Sequence, residues 1–68
     1  MITNDGQLRQ AQQYLRAMEE SLAELKAELA GRNPERFRVS SQSYIAEIRR
    51  TRAEIDAYLG IPAAAAVV

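Results

Sequence analysis

The chain contains no cysteine and no histidine among its 68 residues. These two side chains supply most nucleophile–base pairs, zinc ligands, haem ligands and thiol redox centres. Their absence disfavours most classes of enzyme, and we expect no catalytic residue, no metal site and no cofactor. A disulfide cannot hold the fold together either, although a core of this size seldom offsets chain entropy without a disulfide, a metal or a partner chain.

Net charge is lacking as well, because nine Lys and Arg balance nine Asp and Glu. A neutral chain has no overall field that steers it to nucleic acid or to an anionic membrane. The apolar stretch from Ala63 to Val68 is far shorter than the roughly 20 residues of a membrane-spanning helix. The first residues lack the basic segment and apolar run of a secretion signal. We therefore expect a cytoplasmic protein with no membrane segment and no small-molecule substrate.

Glycine and proline are scarce, and they fall where a helical chain would turn. Between Gly6 and Gly31 the sequence has neither and is filled with Ala, Leu, Glu, Gln, Arg and Met, which favour helix. Asn4 or Asp5 can cap the start, and Gly31 follows the end, where a left-handed residue favours glycine. The sequence predicts a first helix over about 5–30.

A second helix is expected after a short turn over 31–33. Pro34 suits the first residue of a helix because its missing amide hydrogen is not needed there. Ser40 is an alternative start, since the serines around it favour a cap over a helix interior. Gly60 suits the left-handed residue that ends a helix. The sequence predicts this helix over about 34–59.

Apolar residues of the first helix recur at alternating spacings of three and four, which is the heptad pattern of a single packing seam. The second helix has a matching stripe that Ile45 and Leu59 make broader. Folding the chain at the turn places Met18 opposite Ile48, with the rest of the seam in layers on either side. The pattern predicts an all-α fold, an antiparallel two-helix hairpin.

Two helices alone leave one side of every layer in water. An apolar patch of this kind marks an interaction surface, and two hairpins packed face to face would bury it in a twofold-symmetric four-helix bundle. We therefore predict a coiled-coil-like homodimer, or a complex with another helical protein. The predicted interface residues are Leu8, Leu15, Met18, Leu22, Leu25, Leu29, Phe37, Tyr44, Ile45, Ile48, Ile55, Tyr58 and Leu59.

The second helix also carries a ridge of three arginines, namely Arg49, Arg50 and Arg52. The ridge is a candidate nucleic-acid contact, but Glu54 and Asp56 each lie one helical turn after an arginine. The pattern favours a solvated, ion-paired face over phosphate binding. Arg52 lies beside the apolar stripe, where its charge could extend into water or pair with Glu19 across an interface.

Residues 61–68 carry no charge and are expected to form a flexible apolar tail. Two interpretations stay open. The tail is either a frayed end laid on the bundle or a degradation signal, because a small apolar C-terminus looks like the tags that bacterial unfoldase–protease machines recognise.

The opening, Met1 to Gln7, and the segment from Ile48 to Leu59 resemble the N-terminal helical hairpin of small bacterial Xre-type regulators, including HigA-like antitoxins. The shared pattern is a polar start, a turn with Asn-Pro-Glu, and then Ile-x-x-x-Arg-x-Glu-Ile-x-x-Tyr. In those regulators a helix-turn-helix domain after the hairpin reads DNA, and 68 residues leave no room for one. We therefore expect DNA reading not to carry over. The resemblance implies an oligomerisation or partner-binding hairpin in a small regulator or antitoxin-like protein.

Overall fold

Two α-helices make up the fold in the computed structural model, which describes residues 1–61. Helix α1 (Asp5–Leu29) and helix α2 (Pro34–Leu59) pack against each other. The described part of the chain contains no β-strand, so the predicted all-α, two-helix architecture is confirmed. The predicted tail beyond Ile61, with both of its interpretations, lies outside the described residues.

Helix α1 begins where polar side chains satisfy its first amides. Asn4 is the N-cap, and its Oδ1 accepts a hydrogen bond from the Gln7 amide at 2.8 Å. Gln7 reaches back in turn, because its Oε1 accepts from the amide and the hydroxyl of Thr3 at 2.7 and 2.9 Å. This reciprocal pattern is close to a capping box. The cap is therefore Asn4, and Asp5 is the first helical residue.

The turn between the helices does not use a left-handed glycine. The Leu29 carbonyl accepts hydrogen bonds from the amides of Arg32 and Asn33, at 3.1 and 2.7 Å. Within residues 1–61 the only glycine with a positive φ is Gly60. The prediction of a left-handed Gly31 is therefore wrong. Two amides converge on one carbonyl at the end of α1, so the chain reverses without a left-handed residue.

Helix α2 begins at Pro34 and not at the alternative start, Ser40. The Asn33 side chain accepts a hydrogen bond from the Arg36 amide at 3.1 Å, which caps the helix before the serines are reached. Ser41 is 3% exposed and donates its hydroxyl to the Arg38 carbonyl at 3.1 Å. This local bond satisfies the hydroxyl within the helix, so the serine-rich stretch stays helical.

Helix α2 ends at a left-handed Gly60, as the sequence predicts, with φ 80° and ψ 20°. The Gly60 amide donates to the Ala57 carbonyl at 3.3 Å, and the Ile61 amide donates to the Asp56 carbonyl at 2.8 Å. This pair of bonds is the Schellman motif, which satisfies the last carbonyls of a helix.

The seam between the helices is only thinly buried. Within residues 1–61 the buried side chains are Ser41, Thr51 and Ile55, and none of them belongs to α1. Ile45 and Leu59 are exposed, at 37% and 50%. The other predicted interface residues are half-buried, namely Leu8, Leu15, Met18, Leu22, Leu25, Leu29, Phe37, Tyr44, Ile48 and Tyr58. The hairpin aligns an apolar seam without enclosing it.

The two helix-ending glycines should respond in opposite ways to the same substitution. A Cβ at Gly31 would meet nothing within 4 Å and φ is not positive there, so Gly31→Ala should stabilise the fold by about 0.4–1 kcal/mol through lost unfolded-state entropy. Gly60→Ala should destabilise it by about 1 kcal/mol, because a side chain resists left-handed backbone. Urea unfolding of both variants measures the difference. Equal effects of the two changes would contradict this account of the turn.

Candidate interaction surface

The hairpin is a single layer of two helices and therefore has two broad faces. Tyr14 and Glu47 each directly precede a seam residue, whereas Glu19 and Arg52 each directly follow one. In an antiparallel pair, the residues that precede the seam lie together on one face and those that follow it lie on the other. The Tyr14 face is defined here by Tyr14, Glu47, Arg50 and Glu54. The Arg52 face is defined by Glu19, Ile45, Arg49, Arg52, Asp56 and Leu59.

The Tyr14 face carries a connected network of hydrogen bonds. The Tyr14 hydroxyl donates to Glu47 Oε2 at 2.9 Å, and Arg50 Nη2 donates to the same oxygen at 2.6 Å. The other guanidinium nitrogen of Arg50 lies 3.5 Å from Glu54 Oε2. Tyr14 thus joins α1 to a charged cluster on α2, although Tyr14 itself remains 44% exposed.

The hydrogen bonds of the network shift the pKa values of its members so that Glu47 stays ionised and Tyr14 and Arg50 stay protonated. The Arg50 guanidinium and, to a smaller extent, the Tyr14 hydroxyl hold the pKa of Glu47 below its usual value. The hydrogen bond to the Glu47 carboxylate raises the pKa of Tyr14, because ionised tyrosine would lose that bond. The same carboxylate raises the pKa of Arg50. At neutral pH all three groups are in the forms that the network needs.

The start of the chain lies along the Tyr14 face. Met1 and Ile2 line one groove together with Tyr14 and Glu54, and another with Ala57. Ile2 is half-buried there, although Met1 is fully exposed. The Tyr14 face is therefore covered in part by the chain itself.

The Arg52 face is built differently. Arg52 Nη2 lies 2.6 Å from Glu19 Oε2, and both side chains remain about half exposed, at 55% and 47%. Ile45 and Leu59 are exposed two helical turns before and after Arg52. A shallow groove of about 350 Å³ along the outer side of α2 is lined in part by Arg49, Arg52 and Asp56. This face offers apolar side chains and both signs of charge to a partner.

The structure places the predicted Arg52 and Glu19 pair between α1 and α2 of one chain. Arg52 does not form the expected pair with Asp56, one turn along its own helix, and that prediction is wrong. The physical reason is that Glu19 faces Arg52 from α1, so the guanidinium turns across the seam. The expected pair of Arg50 with Glu54 is present at 3.5 Å.

The arginine ridge does not present three free cations. Arg50 is held by Glu47 and Glu54, and Arg52 is held by Glu19. A phosphate would have to compete with carboxylates that are already in place, and acidic groups beside the ridge oppose phosphate binding. The third member, Arg49, is exposed on the Arg52 face. This arrangement does not favour a nucleic-acid contact at the ridge.

Sequence reasoning missed two contacts that join the helices. One is the Tyr14 bond to Glu47, and the other is the Tyr58 hydroxyl, which donates to Asp5 Oδ1 at 2.7 Å. The Asp5 carboxylate raises the pKa of Tyr58. The heptad register could have predicted the first contact, because both residues directly precede a seam position. The second contact could not be predicted in this way. An acidic residue such as Asp5 is favoured in the first turn of a helix by the helix dipole, so its presence there does not indicate a contact with α2.

No group of three or more acidic side chains within residues 1–61 could hold a metal ion. Among the described helices, none has a stretch both long and apolar enough to cross a membrane. No family model, curated protein or solved structure matches the chain. The resemblance to Xre-type regulators stays a prediction from the residues quoted above.

High pH should weaken the fold through the two tyrosine bonds. The pKa values of Tyr14 and Tyr58 are raised in the folded chain above the usual 10.0, so their contribution is complete below that pH and is lost as the pH rises through the raised values. The urea midpoint should therefore fall above pH 10. Tyr14→Phe combined with Tyr58→Phe should make that fall shallower.

Tyrosinate absorbance gives the direct check on this pH dependence. The folded chain should reach half-ionisation at higher pH than the same chain in concentrated urea. Identical titration curves in the two states would contradict the tyrosine–carboxylate bonds.

Proposed function

We propose that this chain is a self-associating, cytoplasmic helical interaction module without catalytic chemistry, and that two hairpins pack as a four-helix bundle. The module would hold together a small regulator of the antitoxin-like kind or dock it on a helical partner. The one observation that carries the proposal is the state of the seam. Its leucines are aligned for packing, yet no residue of α1 is buried.

The energetics favour a partner on that seam. Full burial of one leucine or isoleucine contributes about 1.5–3 kcal/mol. Ile55, at 7% exposed, is the one apolar side chain of residues 1–61 that is buried. Covering half-buried seam side chains would therefore add to the stability of the fold.

A second copy is the simplest partner. It brings a seam of the same length and pattern, and closed twofold symmetry is the commonest arrangement of soluble oligomers. The zero net charge of the chain means that two copies do not repel each other through an overall field. Hairpins of this form associate into four-helix bundles with crossing angles near 20°.

The association is tested by mass and by truncation of a seam residue. Light scattering at micromolar concentration should give about twice 7.6 kDa. Ile48 is half-buried in one hairpin and would be enclosed in the bundle, so Ile48→Ala should cost about 2–5 kcal/mol per site. The variant should therefore dissociate at concentrations where the unmodified chain stays dimeric.

Val39→Ala is the matched control, because Val39 is 58% exposed and lies away from the seam. It should keep the dimeric mass and change the stability by less than about 0.5 kcal/mol. A folded monomer of the unmodified chain, or equal effects of the two truncations, would refute the proposal.

A further inference from the structure

We propose that the second copy docks on the Arg52 face, with α2 antiparallel to the partner's α2 and the twofold axis passing at Arg52. The inference rests on the proposed function, since it names which face of the hairpin the dimer uses. It goes further by assigning the contacts that fix the orientation of the two copies.

The other broad face is less suited to a second copy. On the Tyr14 face, Glu47 Oε2 already accepts from Tyr14 and Arg50, and the half-buried Ile2 lies against part of the face, although Tyr14 itself is 44% exposed. A partner there would have to displace the start of the chain and break charge-assisted bonds. Such bonds are roughly twice as strong as neutral ones. Docking on the Arg52 face requires neither displacement of the start of the chain nor loss of these bonds.

The Arg52 face is self-complementary about Arg52. Ile45 and Leu59 lie two helical turns before and after Arg52, so a twofold axis at Arg52 places each of them against the other residue of the partner chain. Both are exposed in the single hairpin, at 37% and 50%. The rotation thus covers the two exposed apolar side chains of this face in two equivalent contacts.

The charged residues of the Arg52 face are also arranged symmetrically about Arg52. Arg49 lies about one turn before Arg52, and Asp56 lies about one turn after it. The axis therefore brings Arg49 opposite the partner's Asp56, and Asp56 opposite the partner's Arg49. An isologous interface needs this property, because each surface must complement its own copy. If the two α2 helices ran parallel, Arg49 would face the partner's Arg49 and Asp56 would face the partner's Asp56.

The two arginines near the axis carry their own counter-charges. Each Arg52 is paired with Glu19 at 2.6 Å, so the axis brings together two ion pairs and not two bare cations. The contact is confined to the half of the hairpin away from the turn. A twofold axis at Arg52 pairs residues 45–59 of the two α2 helices, which is about 21 Å of helix.

Reversing one charge of the Arg52 face at a time tests the antiparallel orientation of the two α2 helices. Arg49→Asp and Asp56→Arg should each weaken self-association by about tenfold or more, because each sets like charges opposite each other at two symmetric sites. An equimolar mixture of the two variants should recover the affinity of the unmodified chain. In the mixed dimer each reversed residue faces an opposite charge.

Sedimentation of dilution series measures the three affinities, and circular dichroism checks that each variant keeps its helices. The control is Glu20→Arg, a charge reversal at an exposed position outside both faces, which should leave self-association unchanged. If the unmodified chain is dimeric but the mixture binds no more tightly than either variant alone, the docking face is wrong and the proposed function stands. A monomeric unmodified chain overturns both.

A cross-link gives a second readout that needs no change of charge. The chain has no cysteine of its own, so oxidising a mixture of Ile45→Cys and Leu59→Cys chains should give mainly the mixed disulfide. Replacing the Leu59→Cys chain with Tyr14→Cys, from the other face, should give little product. Equal yields from the two mixtures would overturn the assignment.

Discussion

A pair of helices cannot enclose its own seam, and the rest of this structure depends on that constraint. Each layer between α1 and α2 is flanked by the two helices and is open to water on both broad faces of the hairpin. The consequence is visible in the burial pattern, since the leucines of α1 are half-buried and only Ile55 among the apolar side chains of residues 1–61 is buried. A set of bonds between side chains at the edges of the seam adds to this packing. These are the Tyr58 bond to Asp5, the Tyr14 bond to Glu47 and the pair of Arg52 with Glu19.

Those edge contacts make the two broad faces unequal. On the Tyr14 face, Glu47 accepts from both Tyr14 and Arg50, and the start of the chain lies alongside. On the Arg52 face a single half-exposed ion pair separates two exposed apolar side chains, Ile45 and Leu59. A partner therefore meets a hydrogen-bonded network on one face, and exposed aliphatic side chains beside an ion pair on the other. The two broad faces of the hairpin differ in chemistry, so a second copy can bind one face in preference to the other.

Much of the fold could be predicted because its local chemistry is unambiguous. The Asn4 and Asn33 caps, Pro34 and the left-handed Gly60 all follow from the needs of helix ends. The backbone conformation of Gly31 could not be predicted, because a glycine after a helix can adopt either a left-handed or a right-handed conformation. The two hydrogen bonds that the Leu29 carbonyl accepts depend on the geometry of the turn, which the sequence pattern does not specify. Periodicity also predicted which residues line the seam. It could not show how little of the seam one chain would bury, because burial depends on how many layers surround a residue.

The candidate surface was predictable in part for the same reason. Arg52 stood out by its position beside the apolar stripe, but its choice of Glu19 over Asp56 depends on the facing helix, which helical spacing within α2 does not contain. The bond between Tyr14 and Glu47 likewise depends on the packing of α1 against α2.

The most direct measurement of the central claim, that the seam is completed by another copy, is thermal unfolding followed by circular dichroism over a wide range of protein concentrations. If folding and association are one event, the melting temperature must rise with concentration, since mass action stabilises the dimer. We predict that rise, together with loss of helix on extreme dilution. A melting temperature that is independent of concentration, in a chain that stays helical at the lowest concentration, would contradict it.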